Sequence, residues 1–256
     1  MKKCILIRKV SNIVNSNSFA SQKQIEPLPF AVYKHKSLIR RKLGNVDSSL
    51  QNNKAINLSL ATPKVSGILI KPNEVFSFWN LVGKCSKSQG YLEGLTIQNG
   101  SPSSGIGGGM CQFTNLIHWM ILHTPLEIIE HHHHDGMDLF KDFGRQIPFG
   151  TGTSVLYNYL DYRFINTTQN TFQLITYTTE NYLCGEIRAE FSLKCKYHMK
   201  AENEFFSKEN DIVFRNNEIY RECFDVHTGN LLSKELIKTN HAKVMYDTSD
   251  LTVISC

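Results

Sequence analysis

No two of the seven cysteines (positions 4, 85, 111, 184, 195, 223 and 256) form a C-x-x-C pair, no run is apolar and long enough to span a bilayer, and no segment repeats. The first absence excludes a zinc ribbon and a thioredoxin-type redox pair. The odd count leaves at least one free thiol, and the scatter suits a reducing compartment better than a disulfide scaffold. The start of the chain has little hydrophobicity: Cys4-Ile5-Leu6-Ile7, between Lys2-Lys3 and Arg8-Lys9, falls far short of the apolar core of a secretory signal. The expectation from these absences is a soluble cytoplasmic protein. The one glycine-rich run is not followed by Lys-Ser/Thr, which excludes a phosphate-binding loop, and no cofactor is expected.

What is present is an ordinary globular composition. At 256 residues and 41% hydrophobic content, the chain can bury a substantial core as one large domain or two small ones. Its net charge of +5 is unevenly spread, because residues 1–45 carry ten Lys/Arg against the single acid Glu26. That segment is therefore +9 and the remainder −4. Two readings of the basic segment stand: a solvated face, or a surface that steers the protein to anionic membrane or wall polymers. No nucleic-acid-binding motif accompanies the charge, so nucleic acid is not an expected partner.

Residues 1–53 read as a basic N-terminal region, a poorly defined arm with short helices broken by Pro27 and Pro29. Residues 54–182 form the central domain, and 183–256 a β-rich extension of the same unit. Lys54–Ala61 has helical spacing and is expected to stop near Pro63. Gly67–Ile70 reads as a buried strand, Lys71–Glu74 as a turn into Val75–Trp79, Tyr91–Ile97 as a short strand and Asn99-Gly100 as a turn. Met110–His123 is apolar on most sides, which marks a helix buried centrally, and Pro125 follows its end. Leu126–Glu130 reads as a strand running into four histidines. Thr153–Phe164, Thr171–Thr178 and Tyr182–Leu193 are β-branched and aromatic, the first two flanking a hairpin turn, with further strands at Asp211–Phe214 and Lys243–Tyr246. Strands on both sides of one buried helix predict an α+β fold, mainly antiparallel sheet packed around the helix at about 110–123, with a helical, basic N-terminal region.

The residues with chemical potential cluster around that helix. Gly105-Ile106-Gly107-Gly108-Gly109-Met110-Cys111-Gln112 delivers one cysteine to a helix start, where the partial positive charge of the terminus favours thiolate. A thiol nucleophile needs a base and oxyanion donors. In His131-His132-His133-His134-Asp135, strand alternation places His132 and His134 on one face. Either is a candidate base, with Glu130 or Asp135 to orient it. Backbone amides from Gly109 to Gln112, with the Gln112 side chain, are candidate oxyanion donors. Competing readings are a zinc site built from the His131–His134 run, an inert exposed histidine loop, and a Cys111 that is only a small buried hydrophobe. His118, about 10 Å up the helix from Cys111, is too far for direct contact and reads as a satisfied core histidine.

Taken together, Lys71-Pro72-Asn73-Glu74-Val75-Phe76-Ser77-Phe78-Trp79, Gly83, Gly90-Tyr91, Gly94-Leu95-Thr96, Asn99-Gly100, Gly107–Gln112, Asn115-Leu116, Leu122–Leu126 and Asp161–Asn166 resemble the VanW family over about residues 55–180. The family takes its name from an accessory protein of B-type vancomycin resistance clusters. Its E-R-H-x-H pattern maps onto Glu130–His134, selecting His132 and His134 and making His131 a replacement of arginine. Gly152 stands where the family often carries aspartate. The resemblance implies a role in peptidoglycan and glycopeptide resistance. It further implies a cysteine-dependent L,D-type transpeptidase in which Cys111 attacks a stem peptide and His132 or His134 shuttles the proton; the residues read from the turn itself for oxyanion and substrate binding are Gly108, Gly109 and Gln112. Such chemistry requires an extracytoplasmic or cell-envelope location, against the signal-less start. The alternative is a non-catalytic accessory protein that binds a cell-wall precursor or a partner.

Overall fold

The computed structural model describes residues 2–14, 18–40, 48–98, 101–133, 136–139, 141 and 147–255. In chain order the elements are α1 (Lys2–Val14), β1 (Phe30–Leu38), α2 (Ser48–Val65), β2 (Ile68–Ile70), β3 (Val75–Ser77), α3 (Phe78–Val82), β4 (Glu93–Gln98), β5 (Ser101–Ile106) and α4 (Met110–Ile121). There follow β6 (Glu127–Glu130), β7 (Met137–Asp138), β8 (Arg163–Ile165), β9 (Phe172–Thr178), β10 (Tyr182–Ala189), β11 (Cys195–Glu209), β12 (Ile212–Asp225), β13 (Leu231–Val244) and β14 (Val253–Ser255).

The fold is α+β with mainly antiparallel pairing. One sheet has the order β1-β10-β9-β2, a second β14-β11-β12-β13-β7, a third β3-β8-β6, and β4 and β5 form a ribbon. Helix α4 crosses β10 and β1, while α2 lies over β9. Because α4 is apolar nearly all round, burial is its only stable placement. Phe113, Leu116, Ile117, Met120 and Ile121 are all buried there against Leu183, Ile187 and Tyr162 of the same core. Alternation along β10 turns Leu183, Gly185, Ile187 and Ala189 inward, and a Cβ added at Gly185 would lie 2.4 Å from Met120 Cε. Among the described residues no helix is long and apolar enough to cross a membrane.

Several expectations need correction. The N-terminal region holds not only a helix but the nine-residue strand β1, which pairs with β10 from Phe30↔Ala189 to Leu38↔Tyr182. The helix expected over Lys54–Ala61 begins earlier and continues through Pro63. Buried Thr62 and Val65 hold its last turn in place, and the Ser66 amide still donates to the Thr62 carbonyl. Of the segment Thr153–Phe164 only Arg163 and Phe164 enter a strand, β8, because the preceding amides go to side chains (Thr153, Asp161), to His132 O (Ser154) or to carbonyls of the local turn at Leu156–Leu160 rather than to a neighbouring strand. The short strands at 211–214 and 243–246 are the ends of β12 and β13, each of 14 residues. The expected turn at Asn99-Gly100 lies outside the described residues.

Candidate functional site

The turn into α4 is built by close backbone approaches. Gly109 precedes the helix with φ +114°, a left-handed conformation open to glycine. A Cβ at Gly108 would lie 2.2 Å from the carbonyl carbon of Gly94, so the two glycines press the start of β4 directly against the turn. Buried Asn57 of α2 locks this junction. Its Nδ2 donates to Leu92 O (3.0 Å) and Gly108 O (2.9 Å), and its Oδ1 accepts from Leu92 N (2.8 Å). The sequence drew attention to the glycines but not to Asn57, whose role depends on two partners 35 and 51 residues away.

Cys111 is the second residue of α4 and partly accessible. Burial pushes its thiol up from the usual cysteine value, against hydrogen bonds from the backbone of Val155 and from its own amide that favour the thiolate. Among the described residues no side chain caps the helix start, so the positive end of α4 faces the turn.

A strap over residues 150–155 links this cysteine to the histidine run. Thr153 donates its amide (2.6 Å) and hydroxyl (2.8 Å) to Asn115 Oδ1 of α4, one turn beyond Cys111. Ser154 N donates to His132 O (2.6 Å), and His131 Nε2 donates to Gly152 O (2.9 Å). Gly152 faces His133 so closely that a Cβ would lie 2.7 Å from its Nε2. Asn115 was legible in principle, lying four residues after Cys111 on the same helix face. Thr153 carried no such signal.

The expected base His132 turns its ring back along the chain and donates Nε2 to Glu130 Oε1 at 3.1 Å. Burial would raise the Glu130 carboxyl, but hydrogen bonds from Arg8, the Asp161 amide and His132, together with the Arg8 charge, bring it below the usual glutamate range. His134 and Asp135 lie outside the described residues. His131 stacks on His118 with ring centroids 4.3 Å apart. His118 is a buried core histidine whose Nδ1 lies 3.1 Å from Tyr162 OH. Burial and the neighbouring His131, His133 and Lys238 drive its pKa well below the ordinary value.

The remaining expected site residues are placed as follows. Gln112 Nε2 donates to Ser37 Oγ and Leu38 O, both at 2.9 Å, and so ties the start of α4 to β1. The Gly108 amide donates to Gly105 O (3.1 Å). Cys111 hydrogen-bonds through its backbone carbonyl to Thr114 and Thr153 and through its sulfur to Val155, and within the described residues no histidine joins it. No group of three His, Cys, Asp or Glu among the described residues is arranged to hold a metal ion. Beyond the strap a cavity of about 460 Å³ opens between α4, β6 and the long strands β12 and β13, lined by His118, His131, Thr151, Arg221, Glu235 and Lys238.

Comparison with known proteins adds to this geometry. The family profile described as VanW like protein matches residues 53–188. The chain is 30% identical over 219 residues to the vancomycin B-type resistance protein VanW of Enterococcus faecalis, covering 86% of this chain and 79% of that protein. It is 28% identical over 122 residues to the uncharacterized protein YoaR of Bacillus subtilis, covering 46% of this chain and 37% of that protein. No solved structure matches.

Proposed function

Because the chain belongs to the VanW family, we propose that it serves glycopeptide resistance at the cell wall as a cysteine-dependent acyltransferase, an L,D-type transpeptidase acting on peptidoglycan stem peptides. The carrying observation is Cys111 at the start of a buried helix that no side chain among the described residues caps, with the backbone of Val155 favouring its thiolate and one strap joining its turn to the His132–Glu130 pair.

In this proposal the Cys111 thiol passes its proton to His132 or His134 as its sulfur bonds to the peptide carbonyl carbon. Burial keeps the resting thiol protonated, so proton removal accompanies attack rather than preceding it. The Gly109 amide and the first amides of α4 hold the tetrahedral oxyanion, while the Gly108 amide, held by Gly105 O, shapes the turn. The C–N bond to the terminal D-residue then breaks and its amine leaves with the proton. The amine of a neighbouring stem attacks the thioester, and the thiol is restored. The cavity beyond the strap is of the size class that holds small ligands, and its lining of mixed charge, with Arg221 paired to Glu235 beside Lys238, suits a polar peptide. The site acts outside the cytoplasm, where stem peptides are cross-linked.

A second reading, a non-catalytic module that binds a wall precursor, is favoured by one observation: the Gln112 amide is held by β1 rather than directed toward the sulfur. Intact-mass analysis separates the two. The enzyme reading expects wild-type protein incubated with a synthetic stem peptide to gain the acyl mass, and Cys111→Ala to gain none while melting like wild type. Unmodified wild type, or adduct persisting in Cys111→Ala, overturns the enzyme. Stem-peptide affinity kept in Cys111→Ala, with no adduct in either protein, selects the binding module.

A further inference from the structure

Helix α1 is docked the wrong way round for a globular protein. At 100° per residue, Leu6, Ile7, Val10 and Ile13 fall within an arc of about 120°, and Arg8 and Asn12 lie on the opposite side. An ordinary surface helix would turn the apolar arc inward. Here the polar side makes the contacts: Arg8 donates to both Glu130 carboxylate oxygens (2.6 and 2.7 Å) and to Tyr159 O (3.2 Å). Asn12 Oδ1 accepts from Arg163 at 2.7 Å. The apolar arc faces outward, with Leu6 63%, Ile7 59%, Val10 54% and Ile13 73% exposed.

The body beside the helix also exposes apolar side chains. Ile129, Leu156 and Tyr159 are each more than 40% exposed, and they flank the groups that anchor Arg8. An outward stripe of this kind marks an interaction surface. Its charge setting selects the occupant. The helix sequence carries Lys2, Lys3, Arg8 and Lys9 and no acid, within a 45-residue segment of charge +9. A second copy would oppose that charge with its own, and a hydrophilic anionic wall polymer would leave the apolar stripe in water. An anionic lipid surface meets both features at once, taking the stripe into the headgroup boundary and the basic residues against its phosphates.

We propose that α1 is an interfacial helix that seats this protein on an anionic bilayer. Because Arg8 and His132 share the Glu130 carboxylate, the seated helix lies directly over the candidate proton-shuttling pair. The inference stands on the helix alone, and failure of the Cys111 chemistry would leave it unaffected.

Vesicle flotation of the full chain tests it. The expected result is recovery of the protein with phosphatidylcholine vesicles containing phosphatidylglycerol, and at least about tenfold weaker binding to pure phosphatidylcholine. The variant Leu6→Gln/Ile7→Gln/Val10→Gln/Ile13→Gln alters only exposed side chains, so its melting temperature should match wild type while anionic-vesicle binding drops about tenfold or more. Undiminished binding by this variant, or absence of wild-type binding, overturns the proposal. So does a concentration-dependent wild-type dimer that the variant abolishes, which would assign the stripe to a second copy.

Discussion

The most informative perturbation of the glycine turn before α4 is Gly108→Ala. The added Cβ would lie 2.2 Å from Gly94 C and 2.4 Å from Gly94 O, both backbone atoms, so no side chain can swing aside. Ordinary carbon contacts lie at about 3.5–4.0 Å, and the two backbones would have to part by more than about 1 Å. Overpacking of this kind costs about 1–3 kcal/mol. The same displacement stretches the Asn57 Nδ2 to Gly108 O bond, now 2.9 Å, and leaving that buried acceptor unmet costs about 1–3 kcal/mol. The two effects share one movement and do not simply add, so a loss of about 3 kcal/mol is expected. Urea unfolding at an m value of about 3 kcal/mol/M would read this as a midpoint about 1 M lower. Gly229→Ala is the control, because among the described residues nothing lies within 4 Å of its Cβ and only its φ of +71° is penalised. That penalty is about 1–2 kcal/mol. If Gly108→Ala costs no more than Gly229→Ala, the close approach to Gly94 does not hold the turn and the reasoning fails.

His123 gives a pH test. Burial lowers its pKa from 6.5 to about 4, outweighing the hydrogen bond to Trp119 O, while its ring stacks on Tyr33. The unfolded chain therefore takes up the proton first. The stability from the neutral ring is complete above pH 6.5 and is lost as pH falls through about 4. Its size is on the order of 3 kcal/mol. Thermal melts of His123→Phe against wild type should converge across that window, and parallel curves would refute the assignment. At the turn itself, Asn57→Ala removes three hydrogen bonds in a fully buried setting and should cost about 3 kcal/mol by chemical denaturation. A loss below about 1 kcal/mol would mean that the partners find replacements.

Local pattern determined a good part of this protein. Helix α4 was legible because a run that is apolar on nearly every side has no stable exposed placement, and β2, β9 and β10 were legible from their β-branched and aromatic content. The glycine run marked the turn before Cys111, and His118 was recognisable as a core residue from its place on the buried helix. β1 was not legible. It is an edge strand whose apolar start, Phe30–Tyr33, directly follows Pro27 and Pro29 and gives way to Lys34-His35-Lys36-Ser37, and its partner β10 lies some 150 residues away. The long strands β11–β13 escaped for a related reason, since polar residues on both faces leave pairing rather than burial to set their length.

Tertiary structure alone decided which groups meet. Spacing placed Glu130 near His132, but only packing brought Arg8, from 122 residues away, to share its carboxylate and draw it below the usual range. Composition marked the N-terminus as basic, but docking determined that α1 presents its apolar side outward. A thiol at a helix start is favoured to ionise by sequence position, whereas the surrounding atoms desolvate Cys111 and push it up. Sequence fixes which groups lie close along the chain, while charge, desolvation and hydrogen bonding act through space and take their values from the packed fold.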